Sequence, residues 1–276
     1  MTITGAGLGL RRGMLDDLSA LTSNEVDFLE VAPENWIGVG GRFGKALREF
    51  TERFPFACHG LSLSIGSSDE LDLDFVKAVK QFLDTHQIET YSEHLSYCSH
   101  NGQMYDLMPI PFSIEAAKYV ATRVQRVQDI IQRPLILENV STYAMLGDGM
   151  SELEFMKEVI KRSGCKMLLD VNNVFVNATN HQFNPKEYIQ SLPSESIEYL
   201  HIAGHFDEAD DLLVDTHGAD VKPQVWDLLK LAYECHGVLP TLLERDFNFP
   251  SVSELLNEVN TIKHYQQEAA YDRQLA

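Results

Sequence analysis

The sequence is short of positive charge. It contains 22 lysine and arginine residues against 41 aspartate and glutamate residues, which gives a formal net charge of −19 at pH 7. A surface this acidic repels phosphate backbones and anionic lipid, and it leaves room for cationic, neutral or metal partners. The charge therefore predicts that the protein binds neither nucleic acid nor a membrane.

Long apolar runs and export signals are also absent. Hydrophobic residues make up 44% of the chain, but no segment approaches the roughly 18 consecutive apolar residues that a membrane span needs. The first residues, MTITGAGLGLRRGM, contain no basic region followed by an apolar one, as a secretory signal would. The location we expect is the cytoplasm.

Cysteine is scarce and scattered. Cys58, Cys98, Cys165 and Cys235 form no CxxC pair, which argues against a disulfide framework and predicts ordinary thiols. The chain has no internal repeat and no linker rich in Pro, Gly or Ser. The segment GAGLGL (5–10) does not match the GxGxxG spacing of a dinucleotide-binding turn.

What the chain does contain is a regular alternation of strand-like and helical segments. The strand-like segments are 5–10, 26–32, 56–64, 89–97, 134–140, 166–173, 197–204 and 239–246, and the helical ones are 14–22, 72–86, 113–131, 151–164, 222–237 and the chain from 251 onward. Eight strands alternating with about eight helices predict a single (β/α)8 TIM barrel, with a doubly wound open sheet as the alternative. We expect one domain over residues 1–276, with the barrel at about 5–265 and a short C-terminal tail.

Seven of the eight predicted strands end in His, Asp or Glu. In RPLILENVS (133–141), an apolar run that suits a strand covered on both faces is followed by Glu138, a charge that is costly to bury alone. The corresponding positions elsewhere hold Glu30 with Glu34, His59, His94 with Glu93, Asp170, His201 and Glu244.

These strand ends predict a metal site, because the C-terminal ends of all the strands of a parallel barrel meet on one face. Carboxylates crowded there raise each other's pKa values, and bound cations relieve the repulsion. Imidazoles interleaved with carboxylates are ligands that Fe, Mn or Zn prefer. A helix cap or a loop hydrogen bond would explain any one of these residues, but their coincidence at six strand ends favours metal ligation.

Two segments that follow strands add further candidates. Asn172 and Asn173 stand in an expected loop after the sixth strand, and Asp215 and His217 form a D-x-H pair in an acidic loop after the seventh. His205 could be a ligand, a proton relay or a loop residue. Roughly nine candidate groups exceed the four that one ion needs, which predicts two or three ions sharing bridging carboxylates.

At these residues the sequence resembles a known family. The motifs ACHGLSLSIG, SEHLSY, LILENVSTY, LLDVNNVFVNATN, YLHIAGH, VDTHG and LLERD are together similar to the multinuclear non-haem iron-dependent oxidative enzymes, a former domain of unknown function that includes the methanobactin biosynthesis oxidase. The resemblance spans residues 5 to 250. It implies a TIM barrel of the superfamily of xylose isomerase and endonuclease IV, with two or three mixed-valent irons at the barrel mouth.

The resemblance also implies an activity and a set of ligands. Members of the family use dioxygen to oxidise cysteine residues of ribosomally made precursor peptides, which a second protein usually presents. The implied ligands are His59, His94 and Glu138 for one iron; Glu138, Asp170, His201 and Glu244 for a second, with Glu138 bridging; and Asn173, Asp215 and His217 for a third, more labile one, with Asn172 as an alternative to Asn173. These residues, Asn173 apart, are also the expected catalytic residues.

Three alternative functions remain open. A zinc hydrolase or nuclease of the endonuclease IV type uses similar ligands, although a face that grips DNA needs Lys and Arg around the mouth. A sugar isomerase would want a lysine near the metals, and none stands directly at the end of a predicted strand. A metal-storing or peptide-binding protein would keep the fold without turnover, but retention of all the motif ligands argues against it.

Overall fold

The computed structural model describes residues 2–144 and 149–275. Its strands are β1 (Ala6–Gly9), β2 (Phe28–Val31), β3 (Phe56–Gly60), β4 (Thr90–His94), β5 (Tyr97–Ser99), β6 (Gln103–Met108), β7 (Ile136–Glu138), β8 (Lys166–Asp170), β9 (Ile197–Ile202), β10 (Phe206–Ala209), β11 (Leu212–Val214) and β12 (Thr241–Leu243). Its α-helices are α1 (Gly41–Thr51), α2 (Leu73–His86), α3 (Ile114–Ile131), α4 (Glu152–Ser163), α5 (Val171–His181), α6 (Pro185–Gln190), α7 (Pro223–His236) and α8 (Val252–Leu275).

Eight of these strands are parallel and close into a barrel. Their order around it is β1-β12-β9-β8-β7-β4-β3-β2, so that the first and last strands of the chain are neighbours. The other four form two antiparallel hairpins, β5–β6 and β10–β11, which follow barrel strands β4 and β9. The predicted (β/α)8 TIM barrel is confirmed.

Capping side chains and glycine set the ends of the helices. At α4 the Ser151 side chain accepts a hydrogen bond from the backbone N–H of Glu154, the Glu154 side chain bonds back to Ser151, and Gly164 ends the helix in the left-handed conformation. At α2 the Asp72 carboxylate accepts hydrogen bonds from the first turn. The periodic apolar residues of these helices are buried against the barrel.

Two predicted segments differ from the structure. Residues 14–22 form no continuous helix: a 3-10 turn at Arg12–Met14 is followed by separate turns, which suffice to bury Leu18 and Leu21. The segment expected to be a loop after the sixth strand is helix α5, whose first turn is capped by the side chain of Asp170. Its β-branched and Asn residues have weak helix propensity, and burial overrides that preference.

The limits of the predicted domain remain a prediction. Residues 1, 145–148 and 276 of that domain lie outside the described residues. Helix α8 continues to Leu275, through the residues where a short tail was expected. Within the described part of the chain, no helix combines the length and the hydropathy that membrane crossing requires.

Candidate metal centre

The polar strand ends form one layer of the barrel interior. Each of six polar side chains lies two residues beyond a side chain of the apolar interior cluster, and alternation therefore places both on the same face of their strand. The pairs are Phe28 and Glu30, Ala57 and His59, Ile136 and Glu138, Leu168 and Asp170, Tyr199 and His201, and Leu242 and Glu244. A polar layer thus covers the apolar one at the C-terminal end of the barrel.

The first group of ligand atoms joins β3, β4 and β7. Strand register places His94 opposite Glu138. Glu138 Oε2 lies 3.1 Å from His59 Nε2 and 3.3 Å from His94 Nε2, and the two Nε2 atoms are 3.2 Å apart. Because His94 Nδ1 donates to the carbonyl of Gly60 at 2.9 Å, the lone pair of its Nε2 faces this centre. Three donor atoms from three strands therefore converge on one point.

The second group shares Glu138 with the first. Glu138, Asp170, His201 and Glu244 are all buried, and each offers one ligand atom within 4.8 Å of the others. His201 Nδ1 lies 2.9 Å from Glu244 Oε2, while Asp170 Oδ1 caps helix α5 at the backbone N–H of Asn173. Asp170 therefore uses one oxygen to start a helix and leaves the other for the site.

A third group is carried by the loops that follow β11 and β12. His217 Nδ1 lies 3.4 Å from Glu244 Oε2 and 3.3 Å from Asp246 Oδ2. On the other side, His217 Nε2 lies 2.7 Å from Asp215 Oδ1. The backbone of His217 has a φ of 48°, a left-handed conformation that costs a non-glycine residue energy and is found where a side chain must be aimed.

The crowding of charges shifts several pKa values. Burial, opposed in part by nearby histidines, raises the pKa of Glu138 to about 7. Burial and the Glu138 charge raise the pKa of Asp170 to about 8. Burial lowers the pKa of His201, but the carboxylates of Glu30 and Glu244 outweigh it and raise that pKa well above its usual value. Without a cation, the site thus holds protons on groups that are ordinarily ionised.

The unpaired polar atoms of the site indicate that it can hold metal ions. Several of its buried atoms have no partner in hydrogen-bond geometry among the described residues, although buried polar atoms rarely go unpaired. They are Glu30 Oε1, Glu138 Oε2, Asp170 Oδ2, Asn173 Oδ1, His201 Nδ1, His217 Nε2 and Glu244 Oε2. These carboxylate, amide and imidazole atoms are metal ligands by type, and bound ions would satisfy them together.

A cavity of about 310 Å³ opens onto these groups. Its apolar wall includes Leu61, Leu107 and Val140, and Arg11 is the cationic side chain in its lining. Arg11 donates to Asp246 Oδ1 at 2.6 Å and to Glu244 Oε1 at 3.3 Å. No lysine lines the cavity in the described chain, which weakens the isomerase alternative.

The structure brings the nine predicted ligands into one region. Seven line the cavity, while Asp170 and His201 lie beside it within the second group. Of the two candidate amides, Asn172 is engaged on both sides, since its Oδ1 accepts from His205 and its Nδ2 donates to Asp215. Asn173 Oδ1 is unpaired, so the geometry favours Asn173 over Asn172.

Sequence reasoning missed two residues of the site and left one aside. Asp246 and Arg11 line the cavity but were not among the predicted site residues. Asp246 stands two residues beyond Glu244 in LLERD, so strand alternation was a usable signal for it. Glu30, noted at a strand end but not among the predicted ligands, contacts His201 Nε2 at 3.2 Å and accepts a hydrogen bond from the Tyr199 hydroxyl.

Comparisons with known proteins cover nearly the whole chain. The family model described as "RiPP precursor modification enzyme MbnB/TglH/ChrH" matches residues 5–267. A UPF0276 protein of Shewanella sediminis is 59% identical over 260 residues, which make up 94% of each chain.

Solved structures share the fold at low sequence identity. Endonuclease IV from Thermus thermophilus superposes with a TM-score of 0.60 at 14% identity, covering 96% of this chain and 99% of its own. A xylose isomerase domain protein from Planctomyces limnophilus gives a TM-score of 0.60 at 10% identity, covering 98% and 99%. At such identities the similarity establishes the barrel architecture and says nothing of the reaction.

Proposed function

The chain belongs to the family of RiPP precursor modification enzymes MbnB/TglH/ChrH, and from that premise we propose that it is a multinuclear iron oxidase that uses dioxygen to modify cysteine residues of a ribosomally made precursor peptide. The observation that carries the proposal is the layer of unpaired imidazole and carboxylate atoms, centred on Glu138, at the barrel mouth. Such a mixed N/O layer suits iron.

Three groups of residues would hold the ions. His59, His94 and Glu138 form one group, and Glu138, Asp170, His201 and Glu244 form a second. The third combines His217 with Asp215 and Asn173, as the motifs imply, and the geometry adds Glu244 and Asp246. When bound, iron supplies a Lewis acid for a substrate thiolate and the electrons that reduce dioxygen.

The protein's own residues prepare this site. The carbonyl of Gly60 fixes the tautomer of His94, and Ser92 Oγ lies 2.7 Å from His59 Nδ1, so both imidazoles are oriented in advance. Leu61 and Leu107 give the cavity an apolar wall that suits a cysteine side chain.

The proposal includes a location and two partners. The substrate is a Cys-containing peptide, and a second protein presents it to the barrel mouth. Both meet the enzyme in the cytoplasm. The net charge of −19 supports the exclusion of nucleic acid.

Metal content and oxygen uptake test the proposal. We would purify the protein without oxygen, measure its metals by elemental analysis and record Mössbauer and EPR spectra. We expect two to three irons per chain with a coupled mixed-valence signal. With Cys-containing peptides encoded beside its gene, we expect oxygen consumption and a mass change that Cys→Ser peptides lack. Zinc alone, with no gain of iron on reconstitution, would overturn the proposal in favour of hydrolysis.

A further inference from the structure

His205 is buried close to the metal centre, yet it does not line the cavity. It follows β9, and the centroid of its ring lies 5.3 Å from that of Phe175 on helix α5, with the two rings tilted by 33°. Its Nδ1 lies 2.7 Å from Asn172 Oδ1. An imidazole held this way, behind the site rather than in it, is placed to orient another residue.

Two successive hydrogen bonds lead from His205 through Asn172 to Asp215, which lies beside the loop-borne metal position. Asn172 Nδ2 donates to Asp215 Oδ1 at 2.9 Å, and the same oxygen lies 2.7 Å from His217 Nε2. The other oxygen of Asp215 accepts a hydrogen bond from Ser141 Oγ at 3.0 Å. Asp215 is thus held from two sides.

The chemistry of these groups fixes the direction of every bond. The Asp215 carboxylate can only accept, so Asn172 must turn its NH2 toward it and its carbonyl oxygen toward His205. That oxygen can only accept, so His205 must carry its proton on Nδ1. Burial lowers the pKa of His205 to about 4, so at neutral pH the ring has a single proton. Only the Nδ1–H tautomer of His205 can therefore donate the hydrogen bond to Asn172.

Two of the three hydrogen-bonded residues, His205 and Asn172, are attached to rigid parts of the fold. Asn172 lies in the first turn of α5, directly after β8. Gly204, beside His205, approaches the backbone so closely that an added Cβ would lie 2.2 Å from the carbonyl oxygen of Ala219. His205 therefore has little freedom to move, and through Asn172 it holds Asp215 in a fixed place relative to the barrel.

We propose that His205 is a positioning residue, and not a ligand, which through Asn172 aims Asp215 at His217 and so shapes the third, loop-borne metal position. The third position itself rests on the proposed function, whereas the hydrogen-bond chain does not. The inference also assigns Asn172 an orienting role and leaves Asn173 for metal ligation.

The tautomer of His205 tests the chain in metal-free protein. Long-range ¹H–¹⁵N NMR of ¹⁵N-histidine-labelled protein, assigned by the loss of one ring signal in His205→Asn, should show the Nδ1–H form of this ring at pH 7. An Nε2–H tautomer would overturn the inference. Because the measurement needs neither iron nor peptide, it remains decisive even if the oxidase proposal fails.

Metal titration of variants tests the consequence. We would titrate Fe²⁺ anaerobically into wild type, His205→Leu and His205→Asn, and count ions by elemental analysis. Residues that orient metal ligands typically contribute 10- to 100-fold to affinity. We therefore expect His205→Leu to weaken the last ion by roughly that factor, with the tighter ions unchanged.

Two controls separate positioning from folding. His205→Asn keeps an N–H donor near the place of Nδ1 and should restore most of the affinity. His236→Leu removes an imidazole at the end of α7, bonded to the carbonyl of Ile189 and remote from the cavity, and should leave all ions in place. Equal affinity for the last ion in wild type and His205→Leu would refute the positioning role, as would equal losses in His205→Leu and His236→Leu.

Discussion

The candidate metal centre has two regions that are built differently. His59, His94 and Glu138 stand at the ends of barrel strands, and the Glu138 side chain is only 2% exposed. His217 and Asp246 stand on loops, and the Asp246 side chain is 43% exposed. The strand-borne region is held by the hydrogen bonds of the sheet, whereas the loop-borne region depends on side-chain contacts.

The difference in construction indicates that the two regions bind their ions with different affinities. Ligands on strands are preorganised, since the barrel fixes their backbones and packing fixes their side chains. Ligands on loops can adjust when substrate arrives, because loops are less tightly held. We infer that the strand-borne region holds its ion most tightly and that the loop-borne region supplies the more labile one. The following predictions test that ordering.

Removing Glu138, the carboxylate common to the first and second ligand groups, should have the largest effect. Glu138 belongs to two of the three ligand groups. In Glu138→Gln we expect affinity for two ions to fall by more than the roughly 100-fold that an orienting residue contributes, with loss of activity. Asp246→Asn should weaken only one ion. Elemental analysis after anaerobic reconstitution measures both.

Glu152→Gln is a matched control for Glu138→Gln. Glu152 is likewise a carboxyl whose pKa burial raises to about 7, but it bonds Tyr188 and Asn177 in the helical layer, away from the cavity. Glu152→Gln should bind as many ions as wild type. If Asp246→Asn lost more metal than Glu138→Gln, the proposed ordering of the two regions would be wrong.

The stability of the metal-free protein should depend on pH in a defined direction. Glu138 and Asp170, with pKa values of about 7 and 8, keep protons in the folded state that they lose on unfolding near neutral pH. The folded state therefore binds more protons, and its free energy of unfolding falls as pH rises. Between pH 7 and 9 we expect a loss of at least about 1 kcal/mol.

The other titrating groups of the site do not reverse this direction. His201 and His217, whose pKa values are raised, also lose stabilising protons as pH rises. His59 and His94, whose pKa values burial lowers, contribute only below the ordinary histidine pKa of about 6.5. Urea denaturation with and without Fe²⁺ at several pH values measures the effect. Stability that rose from pH 7 to 9 without metal would contradict it.

The strand-borne region was predictable from the sequence, and the loop-borne region was only partly so. An apolar run that ends in His, Asp or Glu marks a barrel strand and a candidate ligand together, and the structure brings two such residues, His59 and Glu138, to 3.1 Å from each other. The family resemblance carried by the motifs is confirmed. Helix α5 was missed because its residues have weak helix propensity, and the Asp170 cap becomes visible only in three dimensions.

The pairing of Arg11 with Asp246 shows why the rest could not be predicted. The two residues are 235 residues apart in the chain, and closure of the barrel, which pairs β1 with β12, brings them together. No local pattern indicates that an arginine near the N-terminus will pair with an acid near the C-terminus. The charge environment of the third candidate ion position is a property of the closed barrel and not of any one segment.

Substitution of Arg11 should have the smallest effect on metal affinity, and it should raise that affinity rather than lower it. The Arg11 guanidinium bonds Asp246 Oδ1 and Glu244 Oε1, so it competes with cations for Asp246 of the loop-borne region and for Glu244, which the second ligand group shares. Partly exposed ion pairs are worth less than about 1 kcal/mol. Arg11→Gln should therefore bind the last ion about threefold more tightly, with the ion of His59, His94 and Glu138 unchanged. Arg11→Lys, which keeps the charge, is the matched control. If Arg11→Gln weakened the strand-borne ions instead, the two regions would be electrostatically one site, and the distinction between them would fail.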